Sequence, residues 1–194
     1  MQMGDLESAS FAIQAILIEN PGADTLRDSL CHLFFLRRMY VSAFKLGNEI
    51  LEKRPNNEMV LELVAVSAQS LGDGKTALPF YEKLYAISKS PYHLYEIASI
   101  EYQMGRFVES DSKMMQLAEN PELEKEGFSL NDANGAQEVS LSAAAYNVAG
   151  AIALDMGKIN VAIERFKKAI EKVPDFRLAK ANLDVAMKKA VGGK

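Results

Sequence analysis

The chain has 194 residues, 48% of them apolar and 25% charged, with a formal net charge of −4. These are ordinary proportions for a folded protein of one elongated domain or two small ones. The acidic balance gives no basic footprint for nucleic acid, no run of about 20 apolar residues could span a membrane, and a single Cys excludes an internal disulfide framework.

Small residues recur along the chain at Ala9, Ala43, Ala77, Ser110 and Ala162. The first two steps are 34 residues, the third is 33 and the fourth is 52. Pro21 and Pro55 repeat the 34-residue step. A constant period of this length is the mark of stacked structural repeats. The longer fourth step places an insertion between the third and fourth full units.

At the start, Gly4-Asp5 reads as a turn between paired helices, as Gly72-Asp73, Gly105-Arg106 and Gly157-Lys158 do later. Leu6 to Glu19 then reads as a helix with Ile13 and Ile16 apolar, and Asn20-Pro21 ends it. Residues 5–20 are thus expected to be the second helix of an incomplete repeat. A repeat cannot bury its apolar face alone, which points to a fragment of a longer natural chain; a natural start with a capping helix is the alternative. An upstream export signal would be lost with the missing part. Localisation is therefore open between the cytoplasm and an exported or periplasmic site.

The first full unit spans 23–55, and its Gly47 leaves a space that a neighbouring Phe34 or Tyr40 is expected to fill. The second unit spans 57–90; Pro79 is tolerated only near a helix start, so that helix is expected to begin late or bend. The third unit, 91–121, opens on Ser90-Pro91, a cap and first-turn pair. In the insertion at 122–141, Phe128-Ser129-Leu130 and Val139-Ser140-Leu141 alternate around Asn134-Gly135, which predicts a short β-hairpin or else a loop. The fourth unit spans 142–174. A capping helix over 176–190 turns Leu178, Leu183 and Met187 inward and Lys180, Asp184 and Lys188 outward. Gly192-Gly193-Lys194 reads as a frayed tail.

Within the fourth unit, Tyr146, Ala149-Gly150 and Ala153 share one helix, Ala162 and Phe166 the next, and Pro174 closes the segment. This order resembles the tetratricopeptide repeat (TPR) family, with Tyr for the usual Trp and Ala149 and Ala153 for larger residues. The resemblance implies an all-α fold over 1–194. That fold would be a right-handed TPR-like α-solenoid of antiparallel helix pairs with a short β-hairpin insertion. It also implies a protein–protein interaction scaffold.

In that family the first helix of each pair lines an inner groove. Carried over by position, the groove holds Asp28, His32 and Phe35, then Met59, Glu62, Leu63 and Val66. Tyr92, Tyr95, Glu96, Ser99 and Tyr102 follow, then Asn147, Val148, Ala151 and Leu154. Chaperone-binding members place Lys, Asn and Arg there to clamp a terminal carboxylate. Here Asp28, His32, Leu63, Tyr92 and Glu96 stand at the matching places, so the clamp is absent. An apolar, Tyr-rich lining remains, suited to an extended peptide or an amphipathic helix. Each fully buried anchor would contribute roughly 1.5–3 kcal/mol before ordering costs. The partner itself, an unknown protein or peptide, is not specified. The competing assembly is a homodimer through the apolar face near Ile13 and Ile16.

Cys31 occupies a small-residue slot and reads as core. With His32 and His93 it cannot by itself build a typical zinc site. No Gly-rich phosphate loop, His-Glu metal pair or nucleophile elbow appears, so no catalytic residue, metal or cofactor is expected. The lack of a Lys/Arg stripe argues against an RNA-binding repeat.

Overall fold

The computed structural model describes residues 3–192. The chain divides into two compact units, Met1–Ser90 and Pro91–Lys194. In the first, α1 (Met3–Glu19), α2 (Asp24–Leu36), α3 (Tyr40–Lys53), α4 (Glu58–Ser70) and α5 (Gly74–Ser88) each pack on the next. The second has α6 (Pro91–Gln103), α7 (Phe107–Ala118), a 3-10 turn at Pro121–Glu124, β1 (Gly127–Asp132), β2 (Gly135–Ser140), α8 (Leu141–Asp155), α9 (Ile159–Lys172) and α10 (Arg177–Gly192). First helices also lie against one another, α2 on α4 in one unit and α8 on α6 and α10 in the other.

Side-chain caps fix several starts. Asn57, Asp73 and Ser140 accept hydrogen bonds from the backbone N–H of Val60, Thr76 and Ala143, satisfying amides that have no partner inside the helix. The turns α2–α3, α4–α5, α6–α7 and α8–α9 share one construction. In each, an N–H five residues on closes back to a carbonyl: Met39 to Phe34, Asp73 to Ala68, Arg106 to Glu101 and Lys158 to Ala153. That closure needs a left-handed residue just past the helix end. Gly72, Gly105 and Gly157 supply it at φ 80, 75 and 74°, but the α2–α3 turn uses Arg38 at φ 57°.

Close helix crossings explain the small residues. A Cβ on Gly47 would lie 2.3 Å from Val64 Cγ2, so α3 and α4 meet backbone to side chain there. Val64, with Cys31 and Val60 behind it, therefore fills the space expected for Phe34 or Tyr40. Gly150 does the same on α8, where a Cβ would be 2.5 Å from the Phe166 ring. Cys31 is fully buried and its thiol donates to Ala43 O at 3.4 Å.

Four further expectations are corrected. Gly4-Asp5 lies inside α1, with Asp5 as an acidic residue of its first turn, where negative charge suits the helix N-terminus. Helix α5 begins at Gly74 under its Asp73 cap and carries Pro79 in its interior, so of the two outcomes expected there the late start is overturned. On α10 Leu183 does pack inward on the cluster with Ala186, and Leu178 is half-buried, but Met187, expected inward, is 49% exposed, and the fully buried residues are Ala179 and Ala186. Small residues take the contact because α10 lies close on its neighbours. Gly192 closes α10, while Gly193 and Lys194 lie outside the described residues.

The insertion is an antiparallel β-hairpin. Phe128 faces Val139, Leu130 faces Gln137 and Asp132 faces Gly135. Because strand side chains alternate faces, these six share one side, and burial on β1 follows that alternation. The positive φ of the tight turn falls on Gly135, at 98°, and Asp132 Oδ1 accepts from Asn134 N–H at 2.7 Å.

Candidate functional site

In the first unit the expected surface lies on α2 and α4. His32 is exposed, Met59 is 46% exposed, and Phe35, Glu62 and Val66 are half-buried. Leu63 is instead a core residue, clustered with Cys31, Ile50, Val60 and Val64 and bordered by Phe35. Asp28, on the same stripe of α2, takes two hydrogen bonds from the Arg54 guanidinium and one from Asn57 Nδ2 at 3.2 Å. It ties α2 to the turn before α4. The cation that the sequence pattern left unseen comes from the far end of α3.

In the second unit α6 carries Tyr92, Tyr95, Glu96 and Tyr102, and α8 carries Asn147, Val148 and Leu154. Tyr95 is buried, at 6% exposure. The cover is the hairpin: the Phe128 ring lies 4.6 Å from that of Tyr95, tilted 58°, and 6.0 Å from that of Tyr92, stacked at 24°. Tyr92 Oη donates to Gly127 O at 3.0 Å and lies 3.3 Å from Glu126 Oε2. Burial raises the Tyr95 phenol well above its ordinary pKa, with the Glu96 charge adding to it. Tyr102 is half-buried and bonds Asp155 at 2.6 Å; burial first, then that carboxylate, pushes its pKa to about 12. Both phenols are held as neutral hydroxyls.

Asn147 is buried and accepts from Asn182 Nδ2 of α10 at 2.9 Å. Leu154 packs on the cluster of Ala153, Ala162, Phe166 and Ala186, while Val148 and Glu96 are half-buried. The hairpin's far end is fastened to the start of α10. The Arg177 guanidinium donates to both Asp132 oxygens, at 2.7 and 3.1 Å, and to Gly135 O. Gln137 donates to Asp175 O and accepts from Arg177 N. The insertion is thus a strap fixed at α6 by aromatics and at α10 by polar contacts. From sequence Phe128 reads only as part of the hairpin signal, and Arg177 carries no signal at all. The one signal was an aromatic at an inward position of an alternating strand.

No group of three or more His, Cys, Asp or Glu placed to hold a metal occurs among the described residues, and no described helix is long and apolar enough to cross a membrane.

No protein-family profile matches the sequence, and no curated protein matches it. Solved structures match in fold. YrrB, described as a TPR protein with an unusual peptide-binding site, has a TM-score of 0.74 at 18% identity, covering 92% of this chain and 83% of that one. A tetratricopeptide repeat protein from Parabacteroides merdae has a TM-score of 0.73 at 19% identity, over 96% and 68%. A crystal structure of MamA has a TM-score of 0.68 at 17% identity, over 85% and 81%. The chain therefore has the tetratricopeptide-repeat fold: all-α, of the α-solenoid class, with a two-stranded antiparallel insertion.

Proposed function

We propose that the chain is a non-catalytic protein–protein interaction scaffold. Within each unit, repeats 23–55 and 57–90 in one and 91–121 and 142–174 in the other, a peptide or helical segment lies on the first helices without a carboxylate clamp. The observation carrying this reading is the surface of α2 and α4. Met59 is 46% exposed, Phe35 and Val66 on the same two helices are half-buried, and Asp28 is already held by Arg54. An apolar surface with a polar rim suits apolar anchors of a partner better than a charged terminus. The test is selection of 15-residue peptides against the intact chain. Met59→Glu is expected to abolish binding of the selected peptides with the fold intact, and amidated and free C-termini are expected to bind alike. Binding unchanged in Met59→Glu, or dependent on a free carboxylate, would remove this reading.

A second reading has its own observation. Helix α1 leaves Ile16 47% exposed on the side it shares with Ile13, and Phe11 61% and Ile18 83% exposed on another side; the assembly expected is through the face near Ile13 and Ile16. Self-association through this face makes a homodimer, and sedimentation over a range of concentrations tests it. A monomer at every concentration would rule it out.

A further inference from the structure

We infer that the Tyr92/Tyr95 face of α6 is a receptor for an aromatic side chain on an extended polypeptide, with Phe128 of the chain's own hairpin as its displaceable occupant. The inference rests on the reading of the chain as an interaction scaffold and names the chemistry of one of its sites.

Phe128 makes the contacts an incoming strand would make. Its ring meets Tyr95 at 4.6 Å and Tyr92 at 6.0 Å. The preceding carbonyl, Gly127 O, accepts from Tyr92 Oη. One contact asks for an aromatic ring and the other for a backbone carbonyl, which any residue before the anchor supplies. This division, side-chain pocket plus main-chain bond, is how extended peptides are recognised generally. Burial raises both phenols, so Tyr92 stays a donor, its hydroxyl lying between Gly127 O and Glu126 Oε2.

The occupant is built to leave. The face of the hairpin away from the helices is polar or small, with Ser129, Asn131, Ala136 and Glu138 exposed. Its pairing between β1 and β2 is complete in itself, so release from α6 breaks no strand ladder. The other fastenings are Arg177 to Asp132 and Gln137 to Asp175 O toward the tip, and buried Val139 with the Leu141 N–H to Glu126 O bond at the base. Lifting Phe128 therefore exposes the slot while the tip stays tethered to α10. A rival strand needs only an aromatic and a free backbone behind it.

The test uses a labelled peptide copying residues 125–131, its counterpart with Phe128 replaced by Ala, and the intact chain. In the wild type the tethered Phe128 competes at the high local concentration of a short linker. Phe128→Ala protein is expected to bind the Phe-containing peptide at least tenfold more tightly than wild type does. The Ala peptide is expected to show no such gain, and Tyr95→Leu placed in the Phe128→Ala protein to abolish it. If circular dichroism shows Phe128→Ala to be unfolded, Arg177→Ala serves instead, and a gain in the same direction is expected. Equal binding by wild type and variant, equal binding of the two peptides, or no binding at all overturns the inference. A failure here with Met59→Glu behaving as expected leaves the scaffold reading standing and removes only the displaceable occupant.

Discussion

The ring of Phe128 rests 4.6 Å from that of Tyr95, so a strand of the insertion closes over a helix that began well before it in the chain. At the other end of the same strand Asp132 holds Arg177, the first residue of α10. One short hairpin thus bridges the N-terminal ends of the outermost first helices of its unit, and α8 follows directly from its second strand.

The tip contact should control how firmly that strap is held. Arg177→Ala removes the two bonds to Asp132 and the one to Gly135 O. Hydrogen exchange of amides in 127–140 is expected to quicken about tenfold, the order of one lost charge-assisted bond, while amides of α8 and α9 stay unchanged. Uniform acceleration through the unit would mean that the hairpin and helices open together.

Arg38 occupies a left-handed position that glycine fills in the three sister turns. The left-handed region costs an L-residue roughly 1–2 kcal/mol, part of which is offset by the extra freedom glycine has when unfolded. Arg38→Gly is therefore expected to stabilise by about 0.5–1 kcal/mol, read as a higher urea midpoint with an unchanged slope.

Gly150→Ala should do the opposite. Its new Cβ would stand 2.5 Å from the fully buried Phe166 ring, and overpacking of this kind costs about 1–3 kcal/mol. Gly47→Ala should behave alike against Val64 Cγ2, but adding Val64→Ala is expected to restore part of the loss. Chemical denaturation of the single and double variants checks both.

Much of this was readable before any coordinates. Ala43, Ala77, Ser110 and Ala162 are fully buried, which is why their spacing carries the repeat. The glycines past α4, α6 and α8 mark three turns, and Arg38 hid the fourth. Alternation around Asn134-Gly135 disclosed the hairpin, although the positive φ sits on Gly135 alone. What stayed hidden was pairing at a distance. Nothing local to Tyr95 says that Phe128 covers it, and nothing near Asp28 says that Arg54 returns to it. Leu63 comes to the groove by repeat position alone, and on a helix apolar over most of its girth only the packing of α3 decides which side is inside.

Alkaline stability follows from the buried acids. Burial raises the Cys31 thiol from 9 to about 12, and burial with Asp155 raises Tyr102 from 10 to about 12. Burial moves Tyr95 upward too. The folded chain holds these protons more tightly than the unfolded one, so their contribution is fully present below about pH 9 and is lost as pH rises towards 12. The urea midpoint is expected to fall between pH 8 and pH 11, and less steeply in Tyr102→Phe.

The most direct measurement is the nuclear Overhauser effect between the rings of Phe128 and Tyr95 in the chain with both residue types selectively labelled. Strong cross-peaks between Phe128 and both Tyr92 and Tyr95, unaffected by dilution, are expected if the hairpin closes over α6 of its own chain. Absence of those cross-peaks, with the Phe128 ring averaging as it would in solvent, would contradict the covered slot and the recognition chemistry drawn from it.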